Sequence, residues 1–182
     1  VNAALGRRGI RMRFFPDNPT LVYRPFKLNE RNYLYLADRG RIYGDVRLYD
    51  DQGTGIHFYT NREDTIADQE MTVELSRIGL QQFKRVIPYL PDMEGWLGGS
   101  LHYIDSQGQM MVSADVQLDD FVYEKSPLGN WSMSGAYLPD GENGHHVDGF
   151  ISHNNQEITY LSGIYRVDEL GNEDITGDLE LS

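Results

Sequence analysis

The sequence predicts an all-β fold: an antiparallel meander that curls into an amphipathic sheet with an apolar concave face, plus one short helix. Three observations lead there. Apolar and polar residues alternate along most of the chain, the breaks between alternating runs are short and rich in Asp, Asn and Gly, and glycines recur at a fixed step toward the C-terminus.

From the N-terminus, Ile10, Met12 and Phe14 alternate with arginines, and Ile42, Val46 and Leu48 with Tyr43, Asp45 and Arg47. Ile56 and Phe58, then Met71, Val73 and Leu75, continue the two-residue step. From Ser76 to Ile87 the pattern changes. Leu80, Phe83, Val86, Ile87 and Leu90 recur at three- and four-residue steps, the spacing of an amphipathic helix capped by Ser76 and stopped by Pro88. Strands resume with Leu97, Leu101 and Tyr103, then Val112, Ala114, Val116 and Leu118. Trp131, Met133 and Tyr137, Val147 and Ile151, Leu161 and Tyr165, and Ile175 and Leu179 follow in turn.

The links are short. Asp50-Asp51-Gln52-Gly53 and Asp105-Ser106-Gln107-Gly108 predict the same turn, opened by Asp and closed by a glycine at positive φ. Pro139 to Gly144, His153 to Gln156 and Asp168 to Asn172 predict further turns. Links of this length join antiparallel neighbours, because a parallel pair needs a crossover of about a dozen residues. Residues 1–75 therefore read as strands, 76–91 as the helix with a proline-bounded linker, and 92–182 as tandem strand repeats in one continuous unit.

Gly135, Gly149, Gly163 and Gly177 stand 14 residues apart, and Tyr137, Ile151, Tyr165 and Leu179 each follow two residues later. The parity places these glycines on the apolar face. Glycine within a strand marks a bend or a close approach, so a row of them predicts a sheet curled around its apolar side. A β-sandwich whose core leaves room for tyrosines accounts for the same period, and the period alone leaves both open.

Composition removes several function classes. The chain has 182 residues, a 40% apolar share, twelve tyrosines and no cysteine, so thiolate catalysis, disulfides and cysteine-zinc sites are absent. Residues 1–85 carry 14 Lys/Arg against 11 Asp/Glu, whereas residues 86–182 carry 2 against 17. So acidic a C-terminal half repels phosphate backbones and argues against nucleic acid, despite Arg7, Arg8, Arg11 and Arg13. The chain runs from Val1 to Ser182 through strand-like pattern at its end, and we expect it to be a segment of a longer protein.

Catalytic and metal chemistry finds little footing. The adjacent pairs Asp119-Asp120, Asp168-Glu169 and Glu173-Asp174 read as solvated turn or strand-end residues, since neighbours on a strand point to opposite faces. His146 and Asp148 share a parity, but His153 falls on the other, so no metal site is expected. Asp140-Gly141-Glu142-Asn143-Gly144 lacks the spacing of a calcium loop and reads as a hairpin turn. Nucleophile-elbow, phosphate-loop and dinucleotide motifs are missing. The expectation is a protein without enzymatic activity and without a cofactor.

One stretch has a family likeness. A helix ending Val86-Ile87-Pro88-Tyr89-Leu90-Pro91 is followed by Glu94-Gly95-Trp96-Leu97-Gly98-Gly99-Ser100-Leu101, then by Val112 to Tyr123 and Pro127-Leu128-Gly129-Asn130-Trp131, and then by tandem amphipathic strands. Over about residues 70–182 this resembles the TamB branch of the AsmA-like proteins (translocation and assembly module, Bacteroidetes type). The resemblance implies a trough of curled, taco-like β-sheet in the periplasm, anchored at the inner membrane and reaching a barrel-type outer-membrane partner. It further implies that the apolar groove serves intermembrane phospholipid transport or outer-membrane protein assembly, by shielding acyl chains or unfolded outer-membrane protein segments.

The residues expected to line that groove are Val46, Leu48, Leu97, Leu101, Tyr103, Met133, Tyr137, Val147, Ile151, Leu161, Tyr165, Ile175 and Leu179. An open end strand is expected as well, available for pairing with a second copy. The competing reading is a secreted or surface β-sandwich that binds glycan or protein through Tyr43, Tyr49 and Tyr59, with an adhesin fragment as a variant of it. The two differ in burial: a sandwich closes its apolar face, and a trough leaves it open.

Overall fold

Almost no apolar side chain of this protein is sealed from solvent: among the described residues only Phe26 (4% exposed) and Leu80 (9%) are buried apolar residues. The structure, a computed structural model, describes residues 2–6, 9–15, 19–21, 24–61, 68–139, 144–167, 171 and 173–181. Arg7, Arg8, the tip of the 139–144 turn and the Asp168-Glu169 pair lie outside them.

The first strands are short: β1 (Asn2–Gly6), β2 (Gly9–Arg13), β3 (Thr20–Leu21), β4 (Arg24–Pro25), β5 (Lys27–Leu28) and β6 (Tyr33–Ala37). Next come β7 (Ile42–Tyr49), β8 (Gly55–Tyr59) and β9 (Gln69–Gly79), then a 3-10 turn at Leu80–Gln82 and the single helical turn α1 (Phe83–Val86). Six more strands follow: β10 (Met93–Ser106), β11 (Gln109–Tyr123), β12 (Ser126–Pro139), β13 (Gly144–His153), β14 (Gln156–Val167) and β15 (Glu173–Leu181).

Twelve of these form one antiparallel sheet in the order β1-β2-β6-β7-β8-β9-β10-β11-β12-β13-β14-β15, with β5 paired beside β7, and the sheet does not close on itself. The small β3–β4 ribbon is separate. Substantial contacts of each strand are confined to its sheet neighbours and the turn after β9. The antiparallel meander expected from the short links is what the chain forms.

Three links in the second half are two-residue turns in which both residues have positive φ: Gln107-Gly108 (55°, 78°), Glu124-Lys125 (46°, 67°) and Asn154-Asn155 (49°, 66°). This mirror-image turn matches the twist of the strands it joins. The two Asp-initiated turns predicted to be alike therefore differ. In the first, Asp50 Oδ1 accepts from the backbone N–H of Gln52 (2.9 Å) and Thr54 (2.8 Å), and Gly53 has φ 81°. In the second, Ser106 pairs with Gln109, which leaves only two residues to turn, so Asp105 stays in the strand opposite Met110.

The helix is shorter than its 76–87 periodicity predicted. Ser76 is no cap: it lies in β9 opposite Gly55, and Ile78 and Gly79 pair with Leu97 and Trp96. Ladder hydrogen bonds claim the backbone as far as Gly79, and a bulge with Arg77 at φ 47° keeps β9 in register.

Two adjacent glycines at this bulge are under different constraints. Gly99 has φ 152°, and a Cβ there would stand 2.2 Å from the Asp115 carbonyl oxygen. A Cβ on Gly98 would meet nothing closer than the Leu75 oxygen at 3.6 Å. Gly99→Ala should lower unfolding stability by about 2 kcal/mol or more, whereas Gly98→Ala should stay within about 0.5 kcal/mol of wild type in urea titrations.

Candidate functional site

Strand registers show how the apolar residues combine. Directly paired residues share a face of the sheet. One cross-strand row runs Val46, Phe58, Val73, Leu101, Ala114, Gly135, Gly149, Leu161 and Leu179, from β7 to β15. A parallel row runs Leu48, Ile56, Leu75, Gly99, Val116, Met133, Ile151 and Thr159. Tyr103, Val112, Tyr137, Val147, Gly163 and Gly177 form a third, Leu97, Leu118, Trp131 and His153 a fourth, and His145, Tyr165 and Ile175 a short fifth. All thirteen residues predicted to line the groove thus lie on one face of one sheet.

Over β11 to β15 that face is hollow. Residues from five consecutive strands enclose a depression of about 450 Å³, within the range of about 300–1,000 Å³ usual for small-ligand sites. Of the predicted residues, Met133, Tyr137, Val147, Ile151, Leu161 and Leu179 line it. Val46, Leu48, Leu97, Leu101, Tyr103, Tyr165 and Ile175 share the face but lie outside the depression.

The glycine row makes the hollow. Gly135 sits directly opposite Gly149, and Gly163 opposite Gly177. Of these, Gly135 and Gly149 line the hollow, so its floor between Met133, Ile151 and Leu161 is bare backbone. A Cβ at Gly135 would have the Asp148 oxygen at 3.4 Å as its nearest neighbour, so that position has room for a side chain reaching into the hollow.

Aromatic–histidine pairs mark both ends along the strand direction. At one end the Trp131 and His153 rings lie 4.6 Å apart between centroids. Trp131 Nε1 donates to the Leu128 carbonyl at 3.0 Å, and His153 Nε2 lies 2.7 Å from the same oxygen. At the other end His145 stacks on Tyr137 at 4.7 Å and faces Tyr165 at 6.4 Å. Loss of solvent, with Glu173 nearby, pushes the Tyr165 phenol above its ordinary value. The six-residue step from Trp131 to Tyr137 sets these ends about 20 Å apart. His145, Trp131 and His153 were not predicted as part of the groove, although each falls on the parity of the glycine row.

The opposite face carries the polar clusters, beside Leu138, Phe150 and Ile164. His146 Nε2 lies 3.0 Å from Ser162 Oγ and 3.3 Å from Asp148 Oδ1, and Tyr160 donates to Asp148 Oδ1 at 3.0 Å. His153 sits on the other side of the sheet from this group, so the three residues do not converge on one point. Tyr43, Tyr49 and Tyr59 are on the polar face too. Tyr43 stacks on Tyr35, Arg47 lies over Tyr49, and Tyr59 donates to Glu74 at 2.9 Å. Asp119, Asp120, Glu173 and Asp174 are all exposed.

No protein-family model, curated protein or solved structure gives a significant match to the chain.

Hydrogen bonds from Ser162 first and Tyr160 second hold the Asp148 carboxyl below its ordinary value of 3.8. A depressed folded value means that its stabilisation is complete above the unfolded value and fades as pH falls through the folded one. Asp148→Asn should therefore make the acid limb of a urea-midpoint profile shallower below about pH 3.8, by a small amount because the group is solvated.

Proposed function

We propose that this chain is a segment of a periplasm-spanning trough whose apolar face shields lipid acyl chains on their way between membranes, as the TamB-like pattern of residues 70–182 implies. The observation that carries the reading is an apolar face left uncovered from β7 to β15, in strands with no buried large apolar side chain among the described residues. A binding module of the sandwich type would spend this surface on a second sheet, and here the described strands form one layer beside the small β3–β4 ribbon.

The physical case is simple. Each CH₂ moved from water onto such a lining gains about 0.8 kcal/mol, and the gain is independent of the chain's position along it. A lining of Val, Ile, Leu, Met and bare glycine backbone therefore retains acyl chains while letting them slide. Polar anchors inside the hollow would hold the cargo in place. In this reading the full-length protein is anchored in the inner membrane and meets a barrel-type partner in the outer one.

Unfolded outer-membrane protein segments are the second cargo class that the reading includes.

The test is native mass spectrometry of the purified chain with lipid extraction of the same sample. The expected result is co-purifying phospholipid, lost in Val147→Asp and in Ile151→Asp while circular dichroism is unchanged. Gly135→Leu should fill the hollow and weaken binding of a fluorescent fatty acid at least about tenfold. Lipid-free wild-type protein that ignores the fatty acid would overturn the reading.

A further inference from the structure

The two ends of the hollow differ in what their polar atoms do. At the Trp131–His153 end they are engaged. Trp131 Nε1 and His153 Nε2 both meet the Leu128 carbonyl, and Asn154 Nδ2 lies 3.1 Å from His153 Nε2. At the other end Tyr137, His145, Tyr165 and Glu173 come from four consecutive strands and share the groove face, Glu173 through its two-residue step from Ile175. Here the polar atoms are open. The Tyr137 phenol makes no hydrogen bond among the described residues. His145 Nδ1 is buried without a partner, so the ring's proton belongs on Nε2, the nitrogen still open to an acceptor.

The charge at this open end is negative. Glu173 is exposed and lies beside the Tyr165 phenol. Asp105, two residues beyond Tyr103 in β10, adds a second carboxylate on the same face and end. The neighbouring cation, Arg166, follows Tyr165 in β14 and so lies on the other face of the sheet, opposite Asp174. Residues 86–182 as a whole carry 2 Lys/Arg against 17 Asp/Glu. A purely anionic head is repelled here. The two donors call for acceptor oxygens and the carboxylate for a cation, and a phosphoethanolamine head carries both.

We propose that this end of the hollow is a headgroup subsite for a zwitterionic aminophospholipid: its ester and phosphate oxygens accept from the Tyr137 phenol and His145 Nε2–H, and its ammonium faces Glu173. The proposal rests on the acyl-chain reading of the hollow and adds which lipid is preferred and how it lies, head toward Tyr137 and tail toward Trp131. Charge-assisted hydrogen bonds give the preference. The ion pair with an exposed Glu173 is weak, so the head is selected without being gripped.

The experiment is displacement of a bound fluorescent fatty acid from the intact chain by two lysophospholipids with the same acyl chain, lysophosphatidylethanolamine and lysophosphatidylglycerol, kept below micelle-forming concentrations. The ethanolamine lipid should compete about fivefold more strongly. Glu173→Gln should bring the two within about twofold of each other. Tyr137→Phe should weaken both about fivefold and keep the preference. His153→Gln, at the far end, should behave as wild type, and circular dichroism should be unchanged in all three variants. Equal competition by the two lipids in wild type, a preference that survives Glu173→Gln, or lysolipid affinities untouched by Tyr137→Phe would each overturn the subsite. The acyl-chain reading would still stand in those cases, because both lipids displace the fatty acid. A preference lost in His153→Gln instead would put the head at the opposite end and overturn the assignment. A chain that binds neither the fatty acid nor either lysolipid overturns subsite and reading together.

Discussion

The backbone ladder is what holds this protein together. Each strand is hydrogen-bonded to its neighbours across an order that follows the sequence, and no second layer presses on either face of the main sheet among the described residues. Most domains are stabilised by packing two layers around a common core. Here the stabilising contacts are cross-strand pairs such as Met133–Ile151 and Leu161–Leu179, each of order 0.2–1 kcal/mol, repeated from strand to strand. Stability is then nearly a sum over neighbours, as in repeat proteins, and the molecule can be lengthened strand by strand.

A sheet held in this way has an exposed apolar face as an unavoidable product, and the opposite face deals with the consequence. Asp115, Asp148, Asp178 and Glu180 alternate with inward residues on β11, β13 and β15, so the polar side of the C-terminal half is strongly acidic. Like charge on that side disfavours the stacking of copies through it, while the apolar side stays exposed. The glycine pairs then shape that side. Gly135 opposite Gly149 leaves the floor of the hollow without side chains, Gly163 opposite Gly177 does the same in the neighbouring row, and the aromatic–histidine pairs flank them along the strands.

The exposed tip after β9 fits the same economy. It adds nothing to the ladder: Leu80 is buried at its base, the Asp92 carbonyl accepts from the Glu124 N–H of the β11–β12 turn, and Val86, Ile87 and Tyr89 stay exposed. Its helical periodicity was legible, but its length was not. Helical spacing of Leu80, Phe83 and Val86 says nothing about how far β9 extends, and pairing of Ile78 and Gly79 with β10 took the residues the helix would have used. The Asp105 turn differed for the same reason. Local turn chemistry matched Asp50 to Gly53, and long-range register of β10 with β11 overrode it.

The sequence by itself determined the strand count and the antiparallel order of the second half, because two-residue alternation and two- to six-residue links admit few other arrangements. It also determined which side chains share a face, since parity along a strand is a local property: Val46 and Leu179 are cofacial although seven strands separate them. Tertiary structure alone decided whether that face was covered. A closed sandwich and an open sheet have the same alternation, and the difference lies in whether distant strands meet, which no local pattern encodes. It decided, too, that His145 and His153 end the hollow. Their roles depend on cross-strand neighbours, Tyr137 and Trp131, that only the register supplies.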